Sequence, residues 1–195
     1  MKELYAYVSI INNSFKKEIL SIQEKIKQIT GELDYFLQWP PHFTVSYGNS
    51  LNEDELAEII KTFEKVAIET KPFQIDFDKD PVFSTKILNG TKFFSMKLKI
   101  INNRDIGRLS DQLISIADSY ECPFKNLFKR DKFHLTLVTT SQITDKEFLI
   151  LMEESKKWLI PKGVFVDSFS IIKGGPVVNG YPTMDSEIKK FYLHD

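Results

Sequence analysis

The sequence predicts an α+β fold made of two similar halves, and three observations lead to this prediction. Short segments that alternate apolar and polar residues, as half-buried strands do, are interleaved with longer segments whose apolar residues recur every three or four positions, as in amphipathic helices. The order of the segments is β-α-β-α-β, and it then repeats. Equivalent points in the two halves, residues 42 and 134, lie 92 positions apart. We therefore expect one domain over residues 1–195, with pseudo-repeat halves of about 1–90 and 91–195.

The first half opens with a strand, a helix and a second strand. Residues 5–10 are apolar and β-rich, which predicts the first strand. Residues 16–29 carry isoleucines and a leucine at helical spacing, and the helix is expected to stop before Gly31. The segment HFTVSY, residues 42–47, alternates as a strand that ends at Gly48.

A second helix and a third strand complete this half. Asn52 precedes three acidic residues and an apolar stripe that extends to residue 66, so Asn52 is predicted to cap the helix. Residues 73–77 place three apolar side chains on one face of a strand.

The second half repeats this order. Thr144 and Glu147 have the spacing of a capping box, which opens the last helix. Gly174-Gly175-Pro176 lacks the Lys-Ser/Thr of a phosphate-binding P-loop and is predicted to be a turn. The predicted segments are a strand at 93–100, a helix at 104–120, a strand at 133–138, a helix at 144–158 and a strand at 163–172.

Composition narrows the class of protein. Hydrophobic residues make up 42% and charged residues 27% of the chain, values typical of a globular domain. The formal net charge of −1 argues against broad binding to long DNA. Cys122 has no second cysteine with which to form an intrachain disulfide, and no targeting or membrane segment is recognisable. We expect a cytoplasmic protein that acts as a monomer and does not bind membranes.

Two of the three histidines occur in the same setting. His42 and His134 each lie in a predicted strand and are each followed two positions later by threonine, Thr44 and Thr136. With 11 threonines in the chain, any two of three histidines share this setting by chance about 1% of the time. Positions i and i+2 of a strand point to the same face, so each motif presents an imidazole beside a hydroxyl.

This pair of motifs suits phosphodiester hydrolysis. A neutral imidazole accepts a proton while a protonated one donates, and histidine does both near neutral pH. Threonine hydroxyls donate hydrogen bonds to phosphate oxygens. A single strand histidine next to a threonine is more often structural, but two in equivalent places favour catalysis. No metal-ligand cluster is recognisable, and we expect no metal or other cofactor.

At these residues the chain resembles the 2H phosphoesterase superfamily, which includes bacterial 2′-5′ RNA-ligase-like proteins and cyclic phosphodiesterases. The resemblance covers the full length and also includes a C-terminal glycine-rich turn followed by a tyrosine. It implies a bilobal fold in which two antiparallel sheets surround a central groove with helices outside, related by a pseudo-twofold. It also implies that His42 and His134 are catalytic and that Thr44 and Thr136 bind the substrate phosphate. Phe133 replaces a proline of many relatives, which leaves the subgroup open.

Further candidates for substrate binding flank the motifs. Lys132 shares the strand parity of His134 and is one of four cations before the second motif, with Lys125, Lys129 and Arg130. Tyr181 is the preferred residue for stacking a base, ahead of Trp39 and of Phe43, whose parity points it to the core. His194, next to the C-terminal residue, is assigned no role.

The function predicted from the sequence is a metal-independent phosphodiesterase. Its substrate would be a small RNA-derived nucleotide or RNA end, with either a 2′,3′-cyclic phosphate or a 2′-5′ linkage. Two alternatives remain open. One is a nucleotide- or RNA-binding module without turnover, and the other is an RNA 2′-5′ ligase that runs the reverse reaction with the same acid and base.

Overall fold

The computed structural model describes residues 1–11, 14–34, 40–88, 90–101, 104–123, 125, 132–178 and 181–194. Among them are four helices and nine strands. The helices are α1 (Ser14–Thr30), α2 (Glu53–Glu69), α3 (Arg104–Ala117) and α4 (Asp145–Ser155). The strands are β1 (Glu3–Ile10), β2 (His42–Leu51), β3 (Phe73–Asp76), β4 (Val82–Leu88), β5 (Thr91–Lys99), β6 (His134–Thr140), β7 (Gly163–Val166), β8 (Ser168–Val178) and β9 (Tyr181–Tyr192).

The strands form two antiparallel sheets, and their order reflects the repeat. The large sheet has the order β4-β5-β6-β2-β1-β8-β9, and the small sheet pairs β3 with β7. Strands β1, β2 and β3 of the first half correspond to β5, β6 and β7 of the second. In the large sheet, equivalent strands therefore lie on either side of the β2–β6 pair, and β3 and β7 pair with each other in the small sheet. The α+β class, the antiparallel sheets and the duplicated order are confirmed. The seven strands are one sheet because β2 and β6 pair at Phe43 and Leu135.

The helices pack on one face of the large sheet. Phe43 and Leu135 belong to the same hydrophobic core as the buried residues of the four helices. Aromatic residues fill much of this core, with Tyr7 against Phe63 at 4.9 Å between ring centroids. Burial of such side chains from water is the main stabilising contribution to a core of this kind. The largest fully buried side chains include Tyr7, Phe43, Phe63, Phe169, Met96 and Leu98.

Two helix starts agree with the sequence in detail. Asn52 caps α2 and Thr144 caps α4, and in each case the third helical residue, Glu55 or Glu147, bonds back to the cap to complete a capping box. A cap of this type contributes about 0.5–2 kcal/mol, since it satisfies backbone N–H groups that have no partner inside the helix. Local hydrogen-bonding rules therefore set both helix starts.

The C-terminal strands differ from the sequence prediction. The predicted strand at 163–172 is two strands, since β7 pairs with β3 and β8 joins the large sheet. Gly174-Gly175-Pro176 is not a turn, because β8 continues through it with an irregular register against β9. A Cβ on Gly175 would lie 2.5 Å from Thr183 Oγ1, so the glycine permits the close approach of β9. Proline is tolerated in a strand at such an irregularity.

Two strands, β4 and β9, had no recognisable pattern in the sequence. Both lie at the edges of the large sheet. Edge strands in proteins are commonly rich in charged residues, which discourages pairing with other chains. The segment DSEIKK within β9 is of this kind, and its charges hide the strand alternation. None of the described helices combines the length and apolar character needed to cross a membrane.

Candidate active site

The two His-x-Thr motifs meet where the halves of the sheet join. Phe43 of β2 pairs with Leu135 of β6 in antiparallel register. In the antiparallel register that this pair sets, the position of His42 faces Thr136 and the position of Thr44 faces His134. In a regular ladder, directly opposite Cβ atoms lie about 4.5–5.5 Å apart and diagonal ones about 7–8 Å. The two histidines are therefore diagonal neighbours.

All four motif side chains lie on the same face of the sheet. Burial alternates along both strands, with Phe43, Val45, Leu135 and Leu137 at most 1% exposed and the motif residues between them only half-buried. The apolar set points to the helices, so the histidines and threonines point away from them. We call this second face, defined by His42, Thr44, Lys97, His134 and Thr136, the open face.

Each imidazole is oriented by the same backbone contact. His42 Nδ1 lies 2.8 Å from the carbonyl oxygen of Pro40, and His134 Nδ1 lies 2.9 Å from that of Lys132. A carbonyl oxygen only accepts, so Nδ1 carries the hydrogen in both rings. The Nε2 atom of each ring is then the nitrogen that gains or loses a proton, as a general acid or base requires.

The strands that flank the motifs give the two histidines different surroundings. Beside β2, Ile10 of β1 is opposite His42 and Val8 is opposite Thr44. Beside β6, Lys99 of β5 is opposite His134, and Lys97 is opposite Thr136. Opposite residues in a sheet share a face. The open face is thus apolar beyond His42 and cationic beyond His134.

Both imidazoles have a lowered pKa. Burial lowers the pKa of His42, the hydrogen bond to the Pro40 carbonyl raises it, and the charge of His134 lowers it further. Burial also lowers the pKa of His134, against the hydrogen bond to the Lys132 carbonyl, and the charge of Lys97 adds to this effect. Since the charge of His134 acts on the pKa of His42, the two imidazoles lie near one another on this face.

Lys97 is a site residue that the sequence reasoning missed. It is half-buried on the open face, and burial followed by the charge of Lys86 lowers the pKa of its amine. Within FFSMKLKI, Lys97 alternates with the core residues Met96 and Leu98, so its side chain lies on the face away from the core. The alternation could be read from the sequence, but the pairing of this strand with β6 is decided by the tertiary structure.

The other predicted binding residues are not all brought to the histidines. Lys132 has an exposed side chain, and its carbonyl is the part that contacts His134. Lys125 pairs with Asp118 and lies over the Tyr47 ring. Tyr181 begins β9, but its side chain is outside the described part of the structure, as are Trp39, Lys129 and Arg130. Phe43 is buried, as its parity predicts, and His194 is exposed.

Among the described residues, no group of three or more His, Cys, Asp or Glu side chains is arranged to hold a metal ion. The open face instead offers imidazoles, hydroxyls and lysine amines, a donor set that suits a phosphate group.

Comparison with known families gives a match over most of the chain. The family model described as the 2′-5′ RNA ligase superfamily matches residues 20–175, a range that contains both His-x-Thr motifs. No curated protein sequence matches this chain.

Solved structures with the same fold include bacterial and yeast proteins. E. coli LigT complexed with phosphate has a TM-score of 0.58 and 12% identity, with 100% of this chain and 99% of that chain covered. E. coli LigT complexed with 3′-AMP has a TM-score of 0.57 and 12% identity, with 100% of both chains covered. Kluyveromyces marxianus Usb1 with uridine monophosphate has a TM-score of 0.54 and 10% identity, with 97% of both chains covered. At these identities the likeness shows the fold.

Proposed function

This chain belongs to the 2′-5′ RNA ligase superfamily, and we propose that it is a phosphodiesterase that hydrolyses 2′,3′-cyclic phosphates or 2′-5′ linkages of small RNA-derived substrates. His42 and His134 are the catalytic acid and base in this proposal, and Thr44 and Thr136 hold the phosphate. The observation that carries it is the diagonal placement of two equally oriented imidazoles across the Phe43–Leu135 pair.

The arrangement supports in-line displacement at phosphorus. With a 2′,3′-cyclic phosphate, the neutral histidine takes a proton from water through Nε2 as the water oxygen bonds to phosphorus. The protonated histidine donates its Nε2 proton to the leaving ribose oxygen as the P–O bond breaks. The single product is a nucleoside monophosphate in which the leaving ribose oxygen has become a free hydroxyl. Proton exchange with solvent then restores the two histidines, and either one can be the base.

The threonine hydroxyls stabilise the negative charge that develops on the phosphoryl oxygens during this step. Thr136 takes the antiparallel position opposite His42, and Thr44 takes the one opposite His134. Each imidazole therefore has one threonine hydroxyl near it on its own strand and one on the neighbouring strand. Hydroxyl donors fixed near the phosphoryl oxygens stabilise the transition state, in which negative charge on those oxygens increases.

Nucleotides are the substrates that the comparisons favour. Related folds were solved with 3′-AMP and with uridine monophosphate, both of which are nucleoside monophosphates. Hydrolysis of an adenosine or uridine 2′,3′-cyclic phosphate would release a product of that class. The cationic side of the open face, beyond His134, favours an anionic ligand of this kind.

The test is a panel of substrates with analysis of the products. It contains 2′,3′-cyclic AMP, 2′,3′-cyclic UMP, a 2′-5′ adenylate dimer and its 3′-5′ isomer, each assayed with and without a metal chelator. We expect hydrolysis of at least one of the first three, retained in chelator. The position of the phosphate in the product identifies which ester oxygen leaves.

Two outcomes contradict the proposal. Binding of nucleotides without turnover of any member of the panel would favour a binding module. Loss of activity in chelator with recovery on addition of a divalent ion would overturn the metal-independent mechanism. The variant His194→Ala is the matched control for histidine substitutions, because His194 is exposed and remote in sequence from both motifs.

A further inference from the structure

Two lysines on the open face extend the site beyond the four motif residues. Lys97 lies opposite Thr136 on the adjacent strand. Lys86 of β4 lies opposite Phe93, which has the same parity as Lys97 along β5. Lys86 and Lys97 therefore point to the same face of the sheet. The charge of Lys86 also lowers the pKa of the Lys97 amine, as expected for two cations on one face.

These two cations have no anionic partner within the protein that the structure describes. No carboxylate among the described residues forms an ion pair with Lys86 or Lys97, whereas Lys92, on the same strand as Lys97, pairs with Asp145. Lys97 is also half-buried. A partly desolvated amine beside a second amine is unfavourable until an anion binds.

Hydroxyl groups lie between the two lysines. Ser84 of β4 is opposite Ser95 of β5, and both share the face of Lys86 and Lys97. Ser95 Oγ lies 2.9 Å from Thr139 Oγ1 of β6. Hydroxyls between two cations suit a phosphate group, which has several acceptor oxygens.

The equivalent surface in the other half lacks these features. Beyond His42 and Thr44, the opposite residues are Ile10 and Val8, which are apolar. A substrate with two phosphates therefore meets cations in one direction across the site only. The direction runs from β6 over β5 to β4.

We propose that Lys97 and Lys86, with Ser84 and Ser95 between them, form a subsite for a second phosphate of the substrate, next to the phosphodiester held by the two motifs. The inference rests on the proposed function and names its substrate class. The preferred substrate is the phosphorylated end of an RNA chain, whose neighbouring phosphate occupies the subsite. A nucleoside cyclic phosphate without a second phosphate leaves it empty.

The experiment compares two substrates that differ in one group, 2′,3′-cyclic AMP and the same molecule with a 5′-phosphate. We expect the 5′-phosphate to raise kcat/KM of the wild-type protein by about tenfold or more, the effect of one charge-assisted contact. In Lys86→Met and in Lys97→Met this preference should fall to about twofold or less. Lys92→Met is the matched control and should keep the preference, because Lys92 pairs with Asp145.

Lys86→Met is not expected to disturb folding, because Lys86 is exposed. Lys97→Arg should keep the preference for the 5′-phosphate, because it keeps the positive charge. The subsite is overturned if the wild-type protein does not discriminate between the two substrates. It is also overturned if Lys97→Met lowers kcat/KM equally for both, since Lys97 would then act on the scissile phosphate alone.

Calorimetry with adenosine 3′,5′-bisphosphate and 3′-AMP separates this inference from the proposed function. Tighter binding of the bisphosphate, lost in Lys86→Met, supports the subsite even if no substrate is turned over. Equal affinities for the two ligands in a protein that hydrolyses cyclic phosphates would overturn the subsite and leave the proposed function intact.

Discussion

His42 and His134 are held by the same local contact, with Nδ1 of each ring 2.8 Å and 2.9 Å from the backbone carbonyl oxygen two residues earlier in the chain. The duplicated motif thus preserves ring orientation as well as residue type. The carbonyl fixes the hydrogen on Nδ1, and this leaves proton exchange to Nε2. The contact belongs to residues just before each strand, Pro40 and Lys132.

The first prediction concerns this tautomer. When their imidazoles are neutral, His42 and His134 should both carry the ring hydrogen on Nδ1, because each Nδ1 faces a backbone carbonyl oxygen. Nitrogen-15 chemical shifts of the imidazoles above pH 7 report the tautomer directly. His194 serves as an internal reference for an exposed ring. A dominant Nε2–H form in either motif would contradict the assigned orientation.

The second prediction concerns loss of the acid and the base. His42→Ala and His134→Ala should each lower kcat/KM by about 10²–10⁴-fold, the usual contribution of a positioned acid or base. The double variant should be little worse than either single one, because both groups act in one displacement. Full activity in either single variant would mean that its histidine is structural. His194→Ala should match the wild type.

The third prediction separates the threonine hydroxyls from substrate affinity. Thr44→Val and Thr136→Val keep the side-chain shape and remove a donor. They should lower kcat by about 10²–10³-fold with a smaller change in substrate affinity, since the hydroxyls act chiefly on the transition state. Thr85→Val, at an exposed strand position, is the control. Weaker substrate binding with an unchanged kcat would contradict the prediction, because it would mean that the hydroxyls bind the substrate and the transition state equally.

The fourth prediction concerns pH. Catalysis needs one neutral and one protonated imidazole, and the pKa of each is below the ordinary value of 6.5. The bell-shaped profile of kcat/KM should therefore have its maximum below pH 6.5, because the protonated partner is scarce above it. Lys97→Met removes a charge that lowers the pKa of His134, so the profile should move to higher pH. An unchanged profile in Lys97→Met, as expected for Lys92→Met, would contradict the assigned proximity.

The fifth prediction tests the packing that supports the site. Gly48 lies in β2, where a Cβ would be only 1.9 Å from the carbonyl oxygen of Tyr5 in β1. Gly48→Ala should lower the free energy of unfolding by about 1–3 kcal/mol, because the strands must separate. Gly107→Ala, in α3 with open space around it, should raise that free energy by about 1 kcal/mol. Denaturant unfolding of both variants measures the contrast, and equal effects would contradict it.

The sequence by itself determined the local features of this protein. Capping residues such as Asn52 and Thr144 set helix starts because they bond to backbone groups three positions away. The alternation around His42 and His134 determined which side chains face the core, because side-chain direction in a strand depends only on parity. These properties involve neighbours in the chain and need no knowledge of the fold.

Only the tertiary structure decided which strands lie side by side. The pairing of Phe43 with Leu135 brings the two motifs together, and the pairing of β5 with β6 sets Lys97 opposite Thr136. Edge strands β4 and β9 could not be recognised from the sequence, because each pairs with a neighbouring strand on one side only and is exposed to solvent on the other. Strand pairing depends on contacts between distant segments, and the alternation within a single strand is the same whichever partner it has.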